Sequence, residues 1–385
     1  MAQQLMPTEQ DRHTRSLRFL SQNRPGPRMG MGHYERLLIQ SLMRNKGQAE
    51  WKFDIRFPGR KPKEGLSASA LDPGLTSGAF EGYSLNRLTG LPWPIARAAI
   101  TLSQSQSAPD LYHSLSLAYP APSNAPAVYT IHDLPPARFD DEGTVARWAK
   151  SAAKSARVIM TPSQFAKNEL IELLGLSEAM FEVIPYGCEH EIFHPDVLPA
   201  DAQARIRLGI EGPYLLYAGG FTRRKNVRAL LEAWKMLAPQ YPDLTLALAG
   251  PAEPLRAFVS ETNAPHVAVL GYIGRDILPS LLKSATALVC PSIYEGFGLP
   301  PLEALAVGVP VVAVRAGAIP EVVGERAIFA PDGSAESLAE AICSLLDDPE
   351  QAKALAKDGP ARAALFQWDE HARRVLGVYS KAIAK

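Results

Sequence analysis

SIYEGFGLPPLEALAVGVPVV, residues 292–312, contains a strand end, a glycine-containing turn, a helix and the start of the next strand. The flanking runs ALVCPS (287–292) and PVVAVR (310–315) are almost wholly apolar, as expected where both faces of a parallel sheet are covered. The helix between them begins near Gly298 or Leu299, which makes a strand–helix–strand unit of a doubly wound sheet. In such a sheet the turn after a strand lies at the ligand-binding carboxyl edge. A helix N-terminus there offers free N–H groups and partial positive charge, which suit a diphosphate or sugar hydroxyls. Gly296 and Gly298 let the backbone come close to a ligand. Glu295, Gly296, Phe297, Gly298 and Leu299 are therefore candidate binding residues. Glu303, more than one turn into the helix, points along the same groove, where a carboxylate can accept hydrogen bonds from a ribose diol. An arbitrary pair of glutamates at this spacing would more often sit on a solvated helix face.

Working outward, the same rhythm extends in both directions. YLLYAGG (214–220), LTLALAG (244–250), VAVLGY (267–272) and AIFA (327–330) are further apolar strands separated by helix-length segments. Helices are expected at about 334–348 and 350–366, and WDEHARRVLGVYSKAIAK (368–385) is an amphipathic terminal helix. YLLYAGGFTRRKNVRALLEAW (214–234) reads as a strand, a glycine turn with three cations and a helix from near Asn226. A diphosphate leaving group gains charge as its bond to a sugar breaks, and nearby cations stabilise it. Lys225 and Arg224 are the candidates for that role, against the alternative of a solvated basic turn.

Toward the N-terminus, RSLRFL (15–20), WKFDIRF (51–57) and runs near 110, 127, 157 and 181 are expected strands. Helices are expected at 32–44, 141–156 and 163–174, and residues 58–92, rich in Gly, Pro and Ser, read as a long loop. RMGMGHYERLL (28–38) puts Gly30 and Gly32 between a strand and a helix, a weak signal alone. YTIHDLPP (129–136) puts His132 and Asp133 at a strand's carboxyl end. Residues 188–212 break the rhythm, and a boundary falls near 195.

A chain of 385 residues exceeds one core, so two domains and a cleft follow. Forty Lys and Arg balance forty Asp and Glu, which removes the electrostatic case for nucleic acid. Cys188, Cys290 and Cys343 lack metal-ligand spacing and suit free thiols in a reducing compartment. The sequence shows neither a signal peptide nor a spanning apolar run, so a cytoplasmic location is expected. Residues 44–63 carry seven Lys or Arg against two acids, and such a stretch could attract the anionic inner face of a membrane.

The string EGFGLPPLEALAVGVPVV closely resembles the donor-site signature of the family 4 retaining glycosyltransferases. Similar family segments are GAIPEVVGERAIFAPDG (317–333), with Glu321 and the Gly317 turn on the nucleotide side, TPSQFAKNELIELLG (161–175) and IPYGCEHEIFHP (184–195). The resemblance implies the GT-B fold: an acceptor-binding Rossmann-like domain over 1–195, a nucleotide-sugar-binding one over 196–367, and a crossover helix over 368–385. It implies a catalytic set of His132, Lys225 and Glu295, with His132 on the transferred sugar, Glu295 near the sugar and its phosphate, and Glu303 on the ribose. Gly32 and Arg224 join the donor side, while Gly30, Tyr34 and Asp133 are acceptor-side candidates. Two positions depart from the pattern: Gly220 stands where many members have Arg, and Tyr186 stands in place of Asn. The sequence has no Asp-x-Asp triplet to hold a divalent ion, so no metal or other cofactor is expected.

The implied reaction moves a hexose from a nucleotide-diphosphate sugar to a glycan or lipid-linked hydroxyl. Bacterial mannosyltransferases using GDP-mannose in polysaccharide assembly are most similar, and UDP-glucose is the rival donor. A non-catalytic nucleotide-sugar-binding relative is a second reading. A dehydrogenase is disfavoured, because Gly30 and Gly32 are not followed by the third glycine of a G-x-G-x-x-G fingerprint.

Overall fold

The computed structural model describes residues 15–20, 31–45, 51–58, 76–80, 92, 94, 95, 98 and 108–384, apart from 116, 118, 119, 146, 147, 197–200, 202–205 and 207. Two sheets organise them. The first contains β1 (Arg15–Leu20), β2 (Trp51–Pro58), β3 (Thr76–Phe80), β4 (Leu111–Ser114), β5 (Ala127–Thr130), β6 (Val158–Thr161) and β7 (Phe181–Val183), in the order β3-β2-β1-β4-β5-β6-β7. The second contains β8 (Tyr214–Ala218), β9 (Thr245–Ala249), β10 (Val267–Gly271), β11 (Ala287–Cys290), β12 (Val311–Val314) and β13 (Ile328–Ala330), in the order β10-β9-β8-β11-β12-β13. The strands pair in parallel throughout. Each order reverses where its first strand meets its fourth, so each sheet opens a crevice at the carboxyl ends of β1/β4 and β8/β11.

The helices follow from apolar spacing and caps. In chain order they are α1 (Met31–Asn45), α2 (Ala149–Lys154), α3 (Gln164–Leu174), α4 (Val227–Leu237), α5 (Ala252–Thr262), α6 (Leu278–Lys283), α7 (Leu299–Ala306), α8 (Ile319–Val323), α9 (Ala335–Asp347), α10 (Pro349–Ala363) and α11 (Trp368–Ala384). Helix α4 buries Val227, Leu230, Leu231, Trp234 and Leu237, the three-and-four spacing of a helix with one apolar face. The Ser163 side chain caps α3 by accepting from the Ala166 N–H, and Gly175 ends that helix at φ 59°. Among the described residues no helix is long and apolar enough to cross a membrane.

Two expectations need correction. The span 58–92 is not all loop, because Thr76–Phe80 adds β3 to the edge of the sheet beside β2. An edge strand needs little apolar alternation, and TSGAF shows none. The helix expected over 141–156 is two pieces: a single 3-10 turn at Asp140–Glu142 and the short α2. Gly143, at φ 95°, turns the chain out of helical geometry between them. Of the basic stretch 44–63, residues 46–50 and 59–63 lie outside the described residues, and Arg44 is paired with Asp369 at 2.9 Å.

Helix α11 runs back from the second sheet to pack on α1. Trp368 stacks on Tyr186 with ring planes 8° apart, and Tyr379 is fully buried beside Trp51 and His113. The Tyr379 hydroxyl lies 2.7 Å from Nδ1 of buried His113, and Thr130 Oγ1 lies 2.8 Å from its Nε2. Burial lowers the His113 pKa to about 3, so the neutral ring donates through one nitrogen and accepts through the other. Tyr379→Phe leaves one of those nitrogens unpaired. The variant should lose about 1–3 kcal/mol of stability, read as a lower urea midpoint with an unchanged slope.

Candidate active site

The two crevices face each other, and the basic turn lies at the carboxyl edge of β8. Arg223–Lys225 form a single 3-10 turn, and Asn226 at φ 54° then redirects the chain into α4. Asn tolerates this left-handed geometry, and its Nδ2 is anchored by donating to the Gly333 carbonyl at 2.8 Å. Lys225 Nζ then reaches Glu295 Oε1 at 2.5 Å, while Arg224 Nη1 reaches Oε2 at 3.2 Å. Burial pushes the Glu295 carboxyl up, but Lys225 and Arg224 outweigh it and hold the group below the usual carboxylate range. Burial disfavours the Arg224 cation in turn, and Glu295, Asp133 and Glu142 overcome it and raise its pKa.

The turn after β11 is set by its glycines. Gly298, at φ 107°, is the N-cap of α7. A Cβ at Gly296 would fall 2.6 Å from the His132 carbonyl oxygen and 2.8 Å from Asp133 Oδ2. The close approach at Gly296 is thus made by the facing unit, and Ser163 Oγ donates to the Gly296 carbonyl at 2.7 Å. The Phe297 ring packs on Tyr186 and Phe366, and Leu299 opens α7 half-buried against the core. Glu303 is buried on α7 and accepts from Arg275 Nη1 at 2.5 Å. Burial raises the Glu303 carboxyl despite Arg275. Arg275 also pairs with Glu189, which lies 2.7 Å from His33 Nε2 of α1.

From the first unit, His132 and Asp133 lie just past β5. The His132 Nδ1 hydrogen bonds to the Tyr186 hydroxyl, so the tyrosine that replaces the family's Asn orients the histidine. Burial, followed by His371, lowers His132 to about 4 and keeps it neutral at pH 7. Its Nε2 has no partner among the described residues. Burial drives the half-buried Asp133 up to about 6 against the pull of Arg224. Tyr34 is buried behind His132, at 4.7 Å between rings, with its hydroxyl toward His371. Gly32 is the second residue of α1, and Gly30 lies outside the described residues. The Glu321 carboxylate accepts from the Gln164 and Phe165 N–H groups of the first unit at 2.7 Å each. Gly317 packs on the backbone of Glu295.

Three contributors were missed in the sequence. Asp140, Asp141 and Glu142 meet the basic turn, Arg275 meets Glu303, and Glu189 joins the two halves. Their only local signal is charge. Pairing between residues far apart in the chain is set by tertiary structure.

Comparison with known proteins gives the same assignment. Residues 202–362 match the family of glycosyl transferases group 1, and residues 49–192 match Glycosyltransferase Family 4. The D-inositol 3-phosphate glycosyltransferase 1 of Catenulispora acidiphila is 30% identical over 314 residues, 76% of this chain and 71% of that protein. The chain belongs to the family 4 glycosyltransferases. Another relative in this family is the O-antigen chain mannosyltransferase B of Escherichia coli, 30% identical over 234 residues, 58% of this chain and 61% of its own length. The MMP alpha-(1->4)-mannosyltransferase of Mycolicibacterium hassiacum is 30% identical over 285 residues, 68% and 66% of the two chains. The GT-B fold is shared with the sucrose-phosphate synthase of Thermosynechococcus elongatus, at TM-score 0.75 and 23% identity over 96% of this chain and 99% of that one. It is shared also with Anabaena HepE in complex with UDP-glucose, at TM-score 0.73 and 20% identity over 95% and 99%.

The raised Asp133 carboxyl has a measurable consequence for this glycosyltransferase. Between its ordinary pKa of 3.8 and about 6, the folded state holds a proton that the unfolded chain has lost. Asp133 therefore subtracts stability as pH rises through that window. Asp133→Asn should melt higher than the parent at pH 7, and the difference should shrink toward pH 4 in paired thermal scans.

Proposed function

We propose that this family 4 glycosyltransferase transfers a hexose from a nucleotide-diphosphate sugar, GDP-mannose in first place, to a hydroxyl of a glycan or lipid-linked acceptor with retention of anomeric configuration. The observation that carries this reading is the pair of cations, Lys225 and Arg224, gripped by Glu295 at 2.5 and 3.2 Å. The mannosyltransferase relatives favour mannose.

In this scheme the two cations stabilise the departing diphosphate, and Glu295 fixes their positions so that little reorganisation is needed as charge develops. Glu303 takes the ribose diol, which requires Arg275 to share it. His132, set by Tyr186, offers its unpartnered Nε2 to a hydroxyl of the transferred sugar. The departing phosphate oxygen takes the acceptor proton, so the protein's share is orientation and electrostatics. The first unit carries the acceptor and the second the donor. The fixed cations do the work for which other transferases use a divalent ion, and no metal is required. UDP-glucose is the second reading, favoured by HepE, whose structure contains that donor. Intact Lys225, Glu295 and Glu303 weigh against a non-catalytic binder. A location on the cytoplasmic side, where nucleotide sugars and lipid-linked acceptors meet, completes the reading.

A panel of nucleotide sugars, assayed for free nucleotide with and without acceptor, tests the reading. GDP-mannose should be turned over fastest, and Lys225→Ala should lower that turnover by about 100-fold or more in a folded protein. Release from none of the donors, or unchanged turnover in the variant, contradicts it. Turnover should also persist in EDTA, whereas loss on chelation reversed by magnesium or manganese would show that a metal is needed.

A further inference from the structure

Every cation of the basic turn is already taken. Arg223 Nη1 lies 2.8 Å from Asp140 and the Arg223 N–H donates to Asp141 at 2.6 Å. Arg224 Nε donates to Glu142 at 2.6 Å, and Arg224 and Lys225 share Glu295. Three cations thus face four carboxylates within one hydrogen-bonded cluster. A diphosphate cannot join it as it stands, because it would add negative charge to a site that already has an excess of it.

Three of the four carboxylates belong to one short turn, Asp140–Glu142, which comes from the facing unit. That turn buries none of its residues, and Gly143 after it has open space where a side chain would be. Glu295, by contrast, is itself buried, lies just past β11, and accepts the Ala318 N–H at its backbone carbonyl. The acidic turn is therefore the part of the cluster that can move, at the cost of its Glu142–Arg224 pair, and Glu295 cannot. Withdrawal of the turn would leave three cations against Glu295 and the half-buried Asp133, a site fit for a diphosphate.

Resting on the proposed donor site, we propose that Asp140–Glu142 is an internal stand-in for the donor diphosphate: it positions the basic turn while the site is empty and gives up its place when the donor arrives. Glu142 is the main element. The side chains of the Glu142–Arg224 pair are only 17% and 16% exposed, whereas those of Asp140 and Arg223 are 83% and 69% exposed. Exposed pairs of the second kind contribute little.

The test is calorimetric titration of the full chain with inorganic pyrophosphate and with GDP. Pyrophosphate isolates the phosphate site from base recognition. Glu142→Gln should bind both ligands about fivefold or more tightly than the parent, Asp140→Asn within about twofold, and Lys225→Ala much more weakly. Equal or weaker binding by Glu142→Gln, with binding still lost in Lys225→Ala, would overturn the stand-in and leave the donor site in place. Undiminished pyrophosphate binding by Lys225→Ala would overturn both. Hydrogen exchange on the parent chain supplies a readout free of mutation. Pyrophosphate should speed exchange at 140–145 while slowing it at 223–226, and protection of both segments would contradict the proposal.

Discussion

The structure of the cleft depends on one carboxylate. Glu295 is buried at the end of an apolar strand, and a charge in that position is tolerable only if it is paired and hydrogen bonded. Lys225 and Arg224 supply the pairing, and with it the geometry of the basic turn is determined. Asn226 must adopt a left-handed conformation to bring Lys225 inward. Gly317 must lack a side chain to let the next loop pack on Glu295. The cations that would meet a phosphate are thereby held at one place in the cleft before any ligand is present, which is the preorganisation that electrostatic catalysis needs.

At this edge the two halves meet through polar contacts as well as through aromatic rings, Tyr294 on Phe139 and Phe165 and Phe297 on Tyr186. Ser163 bonds Gly296, Glu321 caps α3, Glu189 bridges His33 and Arg275, and the acidic turn bonds the basic one. Polar contacts of this kind can be exchanged for water or ligand at moderate cost, whereas α11 ties the units together by packing, with Trp368 and His371 on Tyr34 of α1 and Tyr379 on Trp51 of β2. A hinged cleft needs both kinds of connection.

Much of this was legible in the chain itself. The apolar runs of β8 to β13 mark buried parallel strands because no other common structure needs unbroken short apolar segments between helices. The turn around Gly296 and Gly298 was legible as the carboxyl edge of a strand, and Lys225 and Arg224 meet Glu295 there while the His132 backbone lies against Gly296. Local pattern was silent where tertiary context decides. Strand β3 sits at an edge and needs no alternation. Asp140–Glu142 has the composition of a helix start, but Gly143 ends it after one turn and its distant partners Arg223 and Arg224 hold it across the cleft. Glu303 was placed on the right helix, but its partner Arg275 follows β10, on the opposite flank of the sheet from β12, and no spacing rule connects the two.

The central claim is that the cluster around Glu295 receives the donor's diphosphate, and a crystal structure of the chain with GDP tests it most directly. The account predicts phosphate oxygens within hydrogen-bond distance of Lys225 Nζ and the Arg224 guanidinium, ribose hydroxyls on Glu303, and Glu142 displaced from Arg224. GDP bound elsewhere, or bound with Arg224 still on Glu142 and the phosphates in solvent, would contradict it.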